Sequence, residues 1–405
     1  MGLQLLTVAL ALYGARESDP LGLGMTLAAR TLPTLFLALV GGIFADRWNK
    51  GRISAVCLTG TAGSTALVAV ALPICGLGWQ VQAASLVSGL ISAVGAPALY
   101  SLLPSIVDDD ENIKANGIVR ASRNLASAVG PVLAVVLARH VGIVAPVWAS
   151  AALGLVAAGL VACLPVPDTG GGQSGPGSVL ADLRGIGNVL ARNRWLVWTV
   201  PFWSVFLAVQ AGATYVVQPI WVIDRGGDVA WSFMSSSMTL GYVTGSLIAV
   251  RVRTRWLVSG SMTLGALGGM QLIASGLCAQ TWQWCAASFI TGMGLELSGV
   301  LWGSALQTRV SKDEIGRAAS FDYAASFGLI PVGYAVFGLV SDGTEAGLLL
   351  AAVGLSLACA GAGAGFAAQR VDRAAAPRDV NQAQSVPGSP DAAPAGDARN
   401  SADAQ

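Results

Sequence analysis

Long apolar runs alternate with short polar breaks along nearly the whole chain. After a first run from Leu3 to Tyr13 come Leu21 to Phe44, Ile53 to Leu72, Val81 to Leu103, Gly117 to Ala138 and Val141 to Leu164. A second set follows: Trp195 to Gln218, Ala230 to Val250, Trp256 to Leu277, Gln283 to Leu306, Ala318 to Val340 and Ala346 to Ala368. Runs of about 20 to 24 residues, at about 1.5 Å per helical residue, match a hydrocarbon core of about 30 Å. The pattern predicts an all-α membrane protein of twelve helices in two sets of six. The first run, closed by Gly14 to Pro20, gives only about 22 Å of helix. It reads as the outer half of a first crossing helix whose inner half is missing, that is, as N-terminally truncated. No basic flank or small-residue cleavage site makes it a signal peptide.

Breaks in this rhythm set the domain boundaries. Pro165 to Ser178 is rich in Gly, Pro and Ser and reads as a flexible linker. Ala181 to Arg194 then returns Arg184, Arg192 and Arg194 to the inner surface. The organisation expected is a first half over 1–164, a cytoplasmic linker over 165–194, a second half over 195–368 and a tail over 369–405. That tail is rich in Ala, Pro, Asp, Ser and Gln without apolar periodicity, and is expected to be disordered.

Composition sharpens the class. With 54% apolar residues, 11% charged residues and 51 glycines in 405 residues, the chain lies outside the range of soluble domains. Of its 23 Lys and Arg, 19 fall on one predicted side; Arg16, Arg139 and Arg225 fall on the other, and Arg30 lies within a helix. The positive-inside tendency therefore places the loop at Asp46 and the C-terminus in the cytoplasm. Trp79, Trp221, Trp231, Trp282 and Trp284 fall at outer ends and Trp48, Trp195, Trp198 and Trp256 at inner ends, as interfacial belts do. Six cysteines lack metal-ligand spacing and read as small packing residues, although Cys278 and Cys285 flank one outer loop and are placed to pair if that face is oxidising. The single His140 leaves no histidine constellation, so no metal is expected.

Ionisable side chains inside a bilayer are costly and ask for a reason. Three qualify: Arg30, Glu296 and Asp322. Glu296 reads either as a proton carrier or cationic-substrate site, or as a carboxylate buried against a polar neighbour. Asp322 carries the same two readings nearer the inner surface, and for Arg30 structural pairing and substrate contact stand level. Polar positions that could line a path are Gln4, Thr7, Ser85, Ser88, Gln210, Thr214, Tyr215, Thr291 and Ser298, though Ser and Thr in membrane helices often bond their own backbone. Gly130 and Pro131 break the fifth helix and allow close contact and a bend.

The loop Gly41-Gly42-Ile43-Phe44-Ala45-Asp46-Arg47-Trp48-Asn49-Lys50-Gly51-Arg52 is a tight basic hairpin between two crossing helices. Its second-half counterpart is Arg251 to Arg255. Asn116 precedes Pro131 by 15 residues and Gly316 precedes Pro331 by 15, so the two halves echo each other. This loop, a Gly-rich helix end followed by Ala-Asp-Arg and basic residues, resembles the signature of the major facilitator superfamily. Arg30 to Arg52, Asn116 to Pro131 and Gln307 to Asp342 resemble its branch of macrolide-efflux permeases and enterobactin exporters.

That resemblance implies a conformational latch in which Asp46, with Gly42, Arg47 and Arg52, lies against the start of the eleventh helix near Arg317. It implies an antiporter-like step at Gly130 and Pro131, and a substrate path ringed by helices one, four, seven and ten. The reading is a secondary active transporter of the bacterial inner membrane, monomeric and without cofactor. It exports a small amphipathic compound (antibiotic, siderophore or related metabolite) against protons by alternating access. Alternatives are a metabolite uptake permease and a non-transporting membrane sensor or scaffold. Enzyme chemistry lacks support, since no nucleophile, base and orienter occur together and no phosphate loop is present; nucleic acid is not an expected partner.

Overall fold

A computed structural model of the chain describes residues 1–40, 50–106, 112–164, 179–252, 254–311, 314–341 and 345–374. All regular structure among them is helical. The first part of the chain forms α1 (Gly2–Glu17), α2 (Pro20–Val40), α3 (Lys50–Cys75), α4 (Trp79–Ile106), α5 (Asn112–His140) and α6 (Ala145–Ala162). A connecting helix α7 (Val179–Arg192) leads to α8 (Leu196–Gly212), a π-helical turn (Ala213–Val217) and α9 (Gln218–Ala249), which is interrupted at Gly227. Then come α10 (Leu257–Gly265), a 3-10 turn (Ala266–Gly269), α11 (Met270–Leu277), α12 (Thr281–Arg309), α13 (Ile315–Gly328), α14 (Ile330–Val340) and α15 (Ala346–Ala374). Seven helical stretches among the described residues are long and apolar enough to cross a membrane. The longest, Leu196–Ala249, is divided by Gly227 at φ +76°, a backbone conformation that favours glycine.

Helices are the form such a sequence must take, because hydrocarbon offers no partner for an open backbone group. Hydroxyls follow the same rule and bond back one turn, as Thr26 does to the Gly22 carbonyl at 2.7 Å. Glycines then set how close the helices come. A Cβ at Gly241 would lie 2.1 Å from the Phe289 carbonyl oxygen, and one at Gly292 would lie 2.0 Å from that of Met238. These two glycines face opposite ways across the α9–α12 contact, the most extensive among the described residues. Backbone contact of this kind replaces the hydrophobic drive that lipid removes.

The first and second parts of the chain meet along two seams. In one, α2 packs on α13 and α14, and a Cβ at Gly24 would come within 2.4 Å of the Tyr334 carbonyl oxygen. In the other, α1 and α5 pack on α9. Pro131 lacks the N–H that would bond the Ser127 carbonyl. That carbonyl accepts from Thr239 Oγ1 at 3.4 Å, and the neighbouring Ala128 carbonyl accepts from Ser236 Oγ at 2.8 Å. The proline thus exposes backbone acceptors that α9 uses to dock.

Several sequence expectations shift. The sixth helix starts at Ala145 rather than Val141, because Gly142 at φ +135° makes a turn there. The eleventh run is two helices meeting at Leu329, two residues before Pro331. The last helix continues past Ala368 to Ala374, and Asp372, expected in the unstructured tail, is 5% exposed. Trp231 and Trp284 are not belt residues: they are 5% and 1% exposed and belong to the core. Cys278 and Cys285 are free. The rest of the tail, 375–405, lies outside the described residues.

Candidate functional site

A cavity of about 230 Å³ lies beside the α1–α5–α9 seam, between α1, α5, the π turn, α9, α11 and α12. From α1 it receives Gln4 and Thr7, and from α5 Ser127 and Pro131. A Cβ at Gly130 would sit 2.7 Å from Gln4 Cβ, so this glycine lets α5 close on α1 and brings both sets of residues to one wall. The π turn supplies Thr214 and Tyr215. One extra residue in a helical turn bulges the backbone, and such bulges recur where side chains are aimed at ligands.

Glutamines and hydroxyls from α8, the π turn, α9, α11 and α12 fix the floor of this cavity. Thr291 Oγ1 donates to the Leu267 carbonyl at 3.0 Å and accepts from the Gln271 backbone N–H at 3.1 Å. Gln271 Nε2 in turn donates to Thr214 Oγ1 at 3.0 Å, and so does Gln210 Nε2 at 3.2 Å. Gln218 Nε2 donates to Ser275 Oγ at 2.8 Å and to the Gln271 carbonyl at 3.3 Å. Buried amides that are satisfied in this way rigidify the wall they form.

Glu296 on α12 faces the same space, and its Oε1 accepts a 2.7 Å hydrogen bond from Ser246 Oγ on α9. Gly245, whose Cβ would lie 3.0 Å from Glu296 Cβ, makes room for it. Tyr242, Trp231, Ser235 and Thr239 of α9 complete the wall. Positions 231, 235, 239 and 242 recur every three or four residues, a single helical stripe visible in the sequence. The polar-path reading omitted α9 because it looked only at helices one, four, seven and ten.

The other sequence candidates sort differently. Gln4, Thr7, Thr214 and Tyr215 line the cavity, whereas Gln210 stands behind Thr214. Ser85 and Ser88 are buried away from it, and Ser298 bonds to Ser261 at 3.2 Å. Asp322 accepts from Trp302 Nε1 at 3.0 Å and from Ser326 Oγ at 3.1 Å, within the second part of the chain. Arg30 lies outside the cavity wall, within electrostatic reach of Tyr334, whose ring meets that of Tyr215 edge-on at 6.3 Å. Arg52 and Arg317 are exposed. Gly42, Asp46 and Arg47 lie outside the described residues, so the latch has no geometry to set beside the expectation.

Two ionic groups went unnoticed in the sequence. Where the chain turns at Gly227, Asp228 accepts from Arg139 Nε at 2.9 Å and Nη2 at 2.5 Å, tying the end of α5 to the start of the returning α9. This turn lies beyond the crossing helices, and the Arg139 hydrogen bond holds the Asp228 carboxyl below its usual range. At the opposite face, buried Asp372 caps α10 by accepting from the Val258 and Ser259 backbone N–H groups at 3.3 and 2.9 Å, and it pairs with Arg309 of α12. Spacings of 89, 113 and 63 residues kept all these partners apart in the sequence.

A bundle of membrane-length helices closing on a central polar cavity defines a class of integral membrane proteins. Within that class, the family model of the Major Facilitator Superfamily matches residues 1–333, and the chain belongs to that superfamily. It is 27% identical over 251 residues to the lysophospholipid transporter LplT of Cronobacter sakazakii, covering 59% of each chain. It is 26% identical over 121 residues to the staphyloferrin A transporter of Staphylococcus aureus, covering 28% of this chain and 30% of that one. The chain thus aligns with about 59% and 30% of these two relatives' lengths. The crystal structure of the nucleoside transporter NupG superposes with a TM-score of 0.65 at 14% identity, covering 91% of this chain and 98% of that one, a likeness of fold.

Proposed function

We propose that this protein is a secondary active transporter of the bacterial inner membrane that exports a small amphipathic compound in exchange for protons. The observation that carries the reading is Glu296: a carboxylate aimed into a cavity that both parts of the chain enclose, with Ser246 as its donor. A carboxylate in an apolar site favours a cation or a proton as its partner. Cationic cargo and proton therefore compete for it: cargo binds from the inner side, an outer proton displaces it after the switch, and the proton leaves inwards on return. Apolar Val8, Ala11, Met234 and Met238 on the same walls suit the rest of an amphipathic cargo. A lysophospholipid transporter and a siderophore transporter among the relatives support a cargo of that class.

In this reading the face carrying α7 is cytoplasmic, as the 19 clustered basic residues favour, the C-terminus lies on the same side, and one chain suffices as a monomer. The two six-helix halves over 1–164 and 195–368 rock about the cavity. Tyr215 contacts the cargo, Arg30 and Asp322 position the helices around it, Gly130 and Pro131 shape α5, and Gly42, Asp46, Arg47, Arg52 and Arg317 latch the inner face. Everted membrane vesicles supplied from outside with a panel of dyes and antibiotics at two pH values test this. Uptake that requires a proton gradient and vanishes in Glu296→Gln is expected, with Asp46→Asn still folded but slower. Uptake that is unchanged in Glu296→Gln overturns the assignment.

A further inference from the structure

Arg123 stands on α5 one turn before Ser127, which lines the cavity. It is exposed, and among the described residues it has no hydrogen bond or ion pair. The register of α5 fixes where it points. At about 100° per residue, Arg123 lies within about 40° of the directions taken by Ser127 and by Gly130, the glycine that meets Gln4 on the cavity wall. Leu125 and Val129, 66% and 44% exposed, mark the outward face of the helix and are turned about 120° or more from Arg123. Depth follows from the contacts between α5 and α9. These helices run antiparallel, since Thr239 bonds to the Ser127 carbonyl and Asp228 to Arg139. Four residues beyond the first of these contacts, Arg123 is level with Val243 of α9. Ser246, the donor to Glu296, lies only about 4.5 Å further along the axis. The guanidinium and the Glu296 carboxylate therefore flank one opening at nearly the same depth, on the face away from the Arg139–Asp228 pair, without pairing with each other.

We propose that Arg123 and Glu296 form a headgroup site for zwitterionic cargo, with a phosphate or carboxylate on Arg123 and an ammonium on Glu296. The inference rests on the reading of Glu296 as a cation site and narrows the charge class of the cargo. A guanidinium presents two parallel donors that match the oxygens of a phosphate or carboxylate. An ammonium alone is attracted by Glu296 and repelled by Arg123, and a lone anion meets the reverse. Only a headgroup carrying both signs gains at both ends, and it leaves the loaded site without net charge at a depth where uncompensated charge is costly. Repulsion of the singly charged competitor is itself a source of selectivity. Met234 and Met238 lie at least eight residues outward of Ser246 on the cavity side of α9, where they receive the apolar part of the cargo.

The test uses the full chain in nanodiscs and two probes of equal tail length, octylamine and the octyl ester of phosphoethanolamine, with binding measured by calorimetry against empty nanodiscs. The zwitterionic ester is expected to bind about tenfold more tightly than octylamine. Arg123→Gln should bring the two affinities within about twofold while octylamine binding persists, which also shows that the variant is folded. Arg123→Lys, which keeps the charge without the two-donor fork, should retain part of the preference. Glu296→Gln should weaken both probes together. Equal affinities in the wild type, a preference that survives Arg123→Gln, or loss of octylamine binding in that variant overturns the anionic subsite, and the Glu296 reading stands if octylamine still requires Glu296. Octylamine binding that ignores Glu296→Gln, or no binding of either probe, overturns that reading and this inference with it.

Discussion

Arg139 grips Asp228 with a two-donor fork, Nε at 2.9 Å and Nη2 at 2.5 Å, across the seam where α5 meets α9. The pair sits at the turn face, far from Glu296 in sequence, yet it joins the same two helices that wall the cavity. Charge reversal at either residue, Arg139→Glu or Asp228→Arg, should therefore favour the state open at that face. Solvent screens an exposed pair, so the shift should be no more than about fivefold in population. Distances between spin labels on the ends of α5 and α9 read it, and the double swap should restore the closed distribution. Because Asp228 titrates below its ordinary range, the closure holds from neutral pH down through that range and is lost as pH falls through the lowered value.

Ser246 is the hydrogen-bond donor that holds the Glu296 carboxylate on the cavity wall, so removing its hydroxyl should leave that carboxylate without its orienting partner. Ser246→Ala is expected to slow proton-driven uptake severalfold. Ser246→Thr, which keeps the donor, should return the rate towards the wild type. Initial rates in vesicles measure this.

Asp372 and Arg309 stake the stability of the face opposite Asp228. Their side chains are 1% and 12% exposed, and Asp372 also serves two backbone N–H groups of α10. Breaking a buried pair by removing one partner costs about 3 to 5 kcal/mol. Asp372→Ala, or truncation after Ala368, should lower the thermal midpoint in detergent markedly, whereas Asp372→Asn, which retains an acceptor for the N–H groups, should lower it less.

Gly241 has no space for a side chain: its Cβ would lie 2.1 Å from a carbonyl oxygen. Gly241→Leu should separate α9 from α12, abolishing the Ser246–Glu296 hydrogen bond and membrane accumulation of the folded protein together. Gly299→Ala on α12, where a Cβ meets nothing within 4 Å, is the control and should accumulate normally. Fluorescence-detected size-exclusion chromatography of tagged variants separates the two results.

The helices and their class were legible in the order of residues alone. Apolar runs of crossing length have one stable form in hydrocarbon, and the wet, charged breaks between them are excluded from it. Glu296 and the Gly130–Pro131 step were legible too, because a charge or a helix breaker inside an apolar run is conspicuous without any partner. Which side chains meet is settled only when the helices pack. Trp231, a belt residue by position, is a cavity wall because α9 turns that face to α1 and α5. Asp372 belongs to a helix cap rather than to a tail because α10 places two N–H groups beside it. Lipid makes every outward position apolar and every short polar stretch a loop, so periodicity reports depth in the membrane. It does not report the neighbour, which is set by the close approach of glycines and carbonyls more than a hundred residues apart, as at Gly24 and Tyr334.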